Sequence, residues 1–164
     1  MLLYVVRHAW AESAGDVRWP NDNDRPLTDK GRRRFAEMVK MLSRGEFCPR
    51  LVATSPALRC FQTAEILAKG LSGKTEVVEV EALASPANLR GLLEWTQEAA
   101  GENDELAWVG HAPDVGHLTA ALIGVQGGSI GFSKGAIAAI QFDGHPAAVR
   151  GELEWLVTAK VLGC

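Results

Sequence analysis

The sequence predicts an α/β protein, a three-layer αβα sandwich around a mostly parallel central sheet. Three observations predict it. Short, mainly apolar runs recur, at residues 2–6, 51–54 and 105–110, and such runs read as strands buried on both faces. They alternate with longer segments of helical periodicity, the pattern of βαβ units. Finally, the runs end abruptly in groups that do not suit a core: Arg7 and His8, then Ser55 leading to Arg59, then His111. In open α/β sheets, ligands bind at the carboxyl ends of the strands.

The elements follow in order. Tyr4, Val5 and Val6 favour a first strand, which delivers Arg7 and His8. Residues 9–26 are polar, rich in turn formers and long for a loop, a length that is often functional. Trp10 and Trp19 in it are expected to pack rather than line a pocket. Arg25 lies at its end, beside Pro26. Thr28 is the expected cap of a helix whose buried face is Phe35, Met38, Val39 and Leu42. Lys30, Arg32, Arg33 and Arg34 form its solvated face, and Gly45 is its expected stop.

Residues 51–54 form a second strand. Ser55 and Pro56 are expected to cap and open the next helix, with Arg59 in its first turn, where helix ends favour anions. A third strand is expected over 76–80 and a helix over 88–100, with a chain break at Gly101-Glu102-Asn103-Asp104. The fourth strand, 105–110, runs into His111 and a further helix. Glycine-rich residues 124–131 form no dinucleotide fingerprint, because no strand feeds them directly. Residues 136–142 and 153–157 read as a hairpin turned at Asp143-Gly144, and the tail from Thr158 as peripheral.

Composition bounds the function. The chain has 164 residues, expected to form one domain over 1–164, long enough to bury about 70% of the unfolded surface. Apolar residues make up 47% and charged residues 23%, and the net charge is −3. This is an ordinary globular composition, without the basic excess of a nucleic-acid binder. Cys48, Cys60 and Cys164 form no CxxC pair, so neither a disulfide framework nor a zinc site is expected. No leader is expected from the first residues, no apolar run reaches membrane-spanning length, and a cytoplasmic protein is expected. His111 and His117 are six apart and fall on different helix faces, unlike a metal-binding pair.

Two guanidiniums and two imidazoles around one sheet edge make a receptor for a doubly charged oxyanion. Here the sequence resembles a known family. Val5-Val6-Arg7-His8-Ala9 is similar to the first signature of the histidine phosphatase superfamily, also called phosphoglycerate-mutase-like. Residues 55–64 are similar to its second motif, and Val109-Gly110-His111 to its third. Asp24-Arg25-Pro26-Leu27-Thr28 and the small size resemble its minimal, SixA-like phosphohistidine phosphatase branch.

The resemblance implies His8 as nucleophile, Arg7 and Arg59 as ligands of the phosphoryl oxygens, and His111 as a hydrogen-bond donor to the same group. It implies a further contact from Arg25, no cofactor and no metal. Ala9 departs from the glycine common after the first histidine. Many members also carry a glutamate that protonates an alcohol leaving group. Glu81 and Glu12 are the candidates for that general acid, and neither fits firmly. Without an acid an alkoxide leaves poorly, whereas an imidazole leaves more readily. The expected function is therefore signal-transduction hydrolysis of phosphohistidine on a histidine-phosphotransfer type of partner protein, with phosphate as product or inhibitor. The alternatives are a broad phosphomonoesterase acting on small phosphate esters, and a phosphate-binding module without turnover.

Overall fold

The computed structural model describes residues 1–45, 47–71, 73–101 and 104–164. The expected break at 101–104 falls partly on residues outside this set. The observed order is β1 (Leu2–Arg7), α1 (Asp29–Leu42), β2 (Leu51–Thr54), α2 (Leu58–Gly70), β3 (Glu76–Glu79), α3 (Leu89–Ala99), β4 (Glu105–Gly110), α4 (Asp114–Leu122), β5 (Ile137–Gln141) and β6 (Glu152–Val157). Short 3-10 turns occupy Asp22–Asp24 and Glu81–Leu83. Six strands form one sheet in the order β3-β2-β4-β1-β5-β6. β1 to β4 are mutually parallel, β5 is antiparallel to β1, and β6 is antiparallel to β5.

The pleat sorts β1 into two cores. Tyr4 and Val6 join Phe35, Met38, Val39, Ala64 and Leu67, the inward faces of α1 and α2. Leu3 and Val5 join Leu92, Val115, Leu118 and Leu122 from α3 and α4. Both faces of the central strands are thus covered, which is why their sequences run apolar without alternation. Trp108 of β4 is fully buried, and its indole N–H donates to Thr96 Oγ1 at 3.1 Å. Among the described residues no helix is long and apolar enough to cross a membrane.

Several local expectations are corrected. No tight Asp143-Gly144 turn joins β5 and β6, because pairing stops at Gln141 and Glu152 and the connection spans the residues between. The tail is not merely peripheral: Ala159 is buried, and the Cys164 carbonyl accepts two hydrogen bonds from Arg34. Arg34 also lies over the Trp10 ring at 4.2 Å, so the basic face of α1 is partly engaged. Helix α1 ends at Leu42, before Gly45, whose N–H closes onto the Leu42 carbonyl. Thr28 caps α1 as expected, its side chain accepting from Gly31 N–H.

The start of α1 also anchors the segment that follows His8. Thr28 donates to the Trp10 carbonyl through both its N–H and its hydroxyl. Gly31 lies so close that a Cβ there would sit 2.2 Å from the same carbonyl oxygen. Gly31→Ala must push α1 away from residues 9–11, an overpacking worth roughly 1–3 kcal/mol. We expect a thermal midpoint lowered by several degrees, and calorimetry of the variant checks it.

Candidate active site

Strands β1, β2 and β4 end side by side, with Val6 and Thr54 both in register with Val109. Arg7, His8, Ser55 and His111 therefore emerge on one edge. They line a cleft of about 690 Å³ together with Arg59 from α2. Arg25, Glu12 and Asp22 enter it from the long loop, and Glu81 and Lys134 complete the wall. Every residue the sequence nominated as catalytic, substrate-binding or acid thus faces one cavity.

His8 is buried, 7% exposed, with Nδ1 2.8 Å from the Ala9 carbonyl oxygen. A carbonyl only accepts, so Nδ1 carries the proton and Nε2 keeps the lone pair of the neutral ring. Burial pushes the His8 pKa down to about 3, and the positive charges of Arg59, His111 and Arg7 push the same way. Ala9 N–H in turn donates to Thr63 Oγ1 at 3.0 Å, and that hydroxyl donates to the Arg59 carbonyl at 2.7 Å. One buried hydroxyl thereby ties the second helix to the peptide beside His8. Ala9 itself is buried within the first core.

Arg59 is held from two sides. Its Nη1 donates to the Asp22 carbonyl at 2.7 Å, and its Nη2 lies 2.9 Å from Asp22 Oδ2. Nη2 also donates to His111 Nδ1 at 3.1 Å. Since arginine has only donors, Nδ1 of His111 must be an acceptor, and the neutral ring presents Nε2–H to Ser55 Oγ at 2.8 Å. Burial, followed by the Arg59 charge, lowers the His111 pKa to about 4. Arg7 donates through Nη1 to the Phe132 carbonyl at 2.6 Å. The Nε atoms of Arg7 and Arg59 are buried without a hydrogen-bond partner, so the protein leaves part of both guanidiniums unspent.

Arg25 donates to Asp22 through Nε and to the Glu12 carbonyl through Nη1, each at 2.8 Å. The Arg25 hydrogen bond, and behind it the Arg59 charge, holds the Asp22 carboxyl below the usual carboxylate range. Glu12 Oε2 pairs with Arg18 at 3.2 Å. Cys60 Sγ packs 3.5 Å from His111 Nε2, and burial pushes its thiol up to about 12, which makes it a packing group. Among the described residues no group of three or more His, Cys, Asp or Glu is placed to hold a metal ion.

The structure differs from expectation at Ser55. It does not cap α2, whose N-cap is Ala57 with no side-chain hydrogen bond. Its hydroxyl serves His111 instead. Trp10 packs against the core, and Trp19 is not among the residues that line the cleft. His117 is exposed on α4, away from the cleft. Sequence reasoning assigned no role to Asp22, Thr63, Lys134 or the Phe132 carbonyl. The Asp22–Arg25 spacing in a turn was a usable signal for the first. Nothing local marks Lys134 or Phe132, which arrive through the loop before β5.

Residues 3–126 match the histidine phosphatase superfamily (branch 1), and the chain belongs to that family. An uncharacterized protein of Picosynechococcus is 35% identical over 139 residues, covering 84% of this chain and 82% of its own. Among solved structures, the protein histidine phosphatase SixA complexed with tungstate superposes with a TM-score of 0.80 at 24% identity, covering 99% of both chains. A protein provisionally assigned as phosphohistidine phosphatase SixA from Agrobacterium tumefaciens gives 0.75 at 21%, covering 96% of this chain and 97% of that one. These two likenesses establish the fold.

Two predictions follow the geometry. Thr63→Val leaves the Ala9 N–H buried and unsatisfied, at a cost of about 1–3 kcal/mol. It should also lower kcat roughly tenfold by loosening the peptide that orients His8, readable by paired denaturation and steady-state kinetics. The second concerns pH. The folded protein resists protonating His8, whereas the unfolded chain protonates it near 6.5. The unfolded state thus binds more protons as pH falls from 6.5 towards 3, and stability declines across that window. His8→Gln should flatten this acid branch by up to about 1 kcal/mol per pH unit, measured by urea midpoints at graded pH.

Proposed function

We propose that this protein is a phosphatase that works through a phosphohistidine at His8 and acts on phosphohistidine of a partner protein. The observation that carries the reading is the tautomer of His8. A neutral imidazole has its Nδ1–H fixed by a backbone carbonyl and its Nε2 lone pair available, beside two buried guanidiniums. Phosphoryl transfer depends mainly on positioning and on stabilising charge at the equatorial oxygens. Arg7 and Arg59 supply that charge at the cleft, with Arg25 and Lys134 at its wall.

In the first step Nε2 of His8 forms a bond to phosphorus while the bond from phosphorus to the substrate nitrogen breaks. The electron pair of the broken bond goes to that nitrogen. A substrate imidazole already protonated on its other nitrogen leaves as neutral imidazole, so no enzyme acid is required. In the second step a water oxygen bonds to phosphorus, the pair returns to Nε2, and the water proton passes to the released phosphate or to solvent. His111 keeps Arg59 oriented through Nδ1, and Ser55 holds the other side of its ring. The SixA structure in the superposition is described with tungstate, a tetrahedral oxyanion, which supports an oxyanion in the corresponding cleft here.

The substrate preference rests on the carboxylates. Glu12 is paired with Arg18 at the cleft's outer side, and Asp22 is held by Arg25 and Arg59, which favours its ionised form over a proton donor. A second reading, a small-molecule phosphomonoesterase, is favoured by Glu81 on the cleft wall, where it would protonate an alkoxide.

Phosphate release from a phosphohistidine protein and from a panel of phosphate esters separates the two. The first reading expects release from phosphohistidine at least tenfold above any ester, and no effect of Glu81→Gln. Both readings expect His8→Ala to lose about a thousandfold or more, and wild type to yield an acid-labile phosphoryl group on His8. Ester turnover equal to phosphohistidine turnover and lost in Glu81→Gln transfers the function to the second reading. Release that survives His8→Ala removes both.

A further inference from the structure

The Arg59 guanidinium offers five N–H donors, and a bidentate grip on a phosphoryl group uses two adjacent ones. In this structure neither adjacent pair is open. Nη2 donates to His111 Nδ1 and is ion-paired at 2.9 Å with Asp22 Oδ2, and Nη1 already donates to the Asp22 carbonyl. Each fork, Nη1 with Nη2 or Nε with Nη2, therefore includes an engaged atom. The group in the way is itself an oxyanion, the carboxylate of a 3-10 turn.

Asp22 is also built to let go. Its side chain is 53% exposed, whereas that of Arg59 is only 8% exposed. Its carboxylate has a second partner: Arg25 Nε reaches Oδ1 at 2.8 Å and Arg25 Nη2 reaches Oδ2 at 3.3 Å. Arg25 is anchored independently, through Nη1, to the Glu12 carbonyl. A carboxylate that leaves Arg59 thus stays bidentate on Arg25, and no buried charge is left unpaired in the exchange.

We propose that Asp22 is an internal competitor for the oxyanion site, which occupies Arg59 at rest and is displaced onto Arg25 when a phosphoryl group binds. The inference rests on the reading that Arg59 receives phosphoryl oxygens. Its consequence is selectivity. Free inorganic phosphate meets the full cost of displacement, whereas a phosphorylated partner protein offsets that cost with contacts outside the cleft. Asp22 thereby weakens product retention and favours substrates that bring a surface with them.

The test measures tungstate affinity by calorimetric titration of wild type, D22N, D22A, D24N and R59A, with thermal midpoints as the check on folding. The proposal expects D22N and D22A to bind tungstate about five- to tenfold more tightly, the scale of one partly exposed ion pair. It expects D24N, which removes a charge from the same turn but touches no guanidinium, to stay within about twofold. Affinity in D22N that is unchanged or weaker overturns the latch and makes Asp22 a positioning residue. A gain in D24N equal to that in D22N also overturns it, because net charge alone then suffices. R59A separates the two levels. Wild-type affinity in R59A defeats the reading of Arg59 itself, whereas loss of binding there with no gain in D22N defeats only the competitor.

Discussion

The cleft depends on keeping two guanidiniums charged and oriented away from bulk water. Arginine stays protonated even when partly buried, because no ordinary environment brings its pKa near neutrality. Burial disfavours the charge without removing it, and the protein answers by surrounding each head with acceptors. Arg7 has the Phe132 carbonyl, and Arg59 has the Asp22 carbonyl, the Asp22 carboxylate and the His111 ring. The histidines share that burial. It drives both rings to the neutral form, and the fixed positive charge of Arg59 beside them acts in the same direction. The Ala9 carbonyl decides which nitrogen of His8 keeps the lone pair.

The fold puts these groups together with little local strain. β2 and β4 contribute their last residues and turn away into helices, whereas β1 delivers Arg7 and His8 into the long loop. The parallel register of β1, β2 and β4 aligns these ends to within a residue. The loop after His8 is less regular, and it is held by specific contacts: Thr28 and Gly31 against the Trp10 carbonyl, the Ala11–Leu27 bridge, and Gln62 Oε1 accepting from Leu27 N–H. The same loop carries Asp22 and Arg25 into the cleft. A segment that reads as irregular is therefore positioned as firmly as the strands at the places that matter.

Much of this was legible in the sequence, for a physical reason. Buried parallel strands must be apolar throughout, so an arginine and a histidine at the end of such a run stand out. β1 and β4 were recovered nearly to the residue, and the topology brings Arg7, His8, Ser55, Arg59 and His111 to one sheet edge. What was missed lay in contacts between distant segments. Ser55 reads locally as a helix cap, yet its hydroxyl finds the His111 ring 56 positions away. Thr63 looks like a helix residue until Ala9 N–H is placed against it. The turn at Asp143-Gly144 has the composition of a tight hairpin, but the β5–β6 pairing ends earlier, and local composition cannot report where a ladder stops.

The carboxylates around the cleft have a shared logic. A general acid must hold its proton near neutral pH, which calls for an apolar pocket or a like charge beside it. Asp22 has the opposite surroundings, between the guanidiniums of Arg25 and Arg59. Such a group tempers the field of the arginines rather than donates a proton. That division of labour suits a leaving group that departs without help and a substrate that arrives on a larger body. A cleft with unopposed arginines would hold its own product. One whose arginines already have a weak internal partner binds phosphate only as firmly as turnover allows.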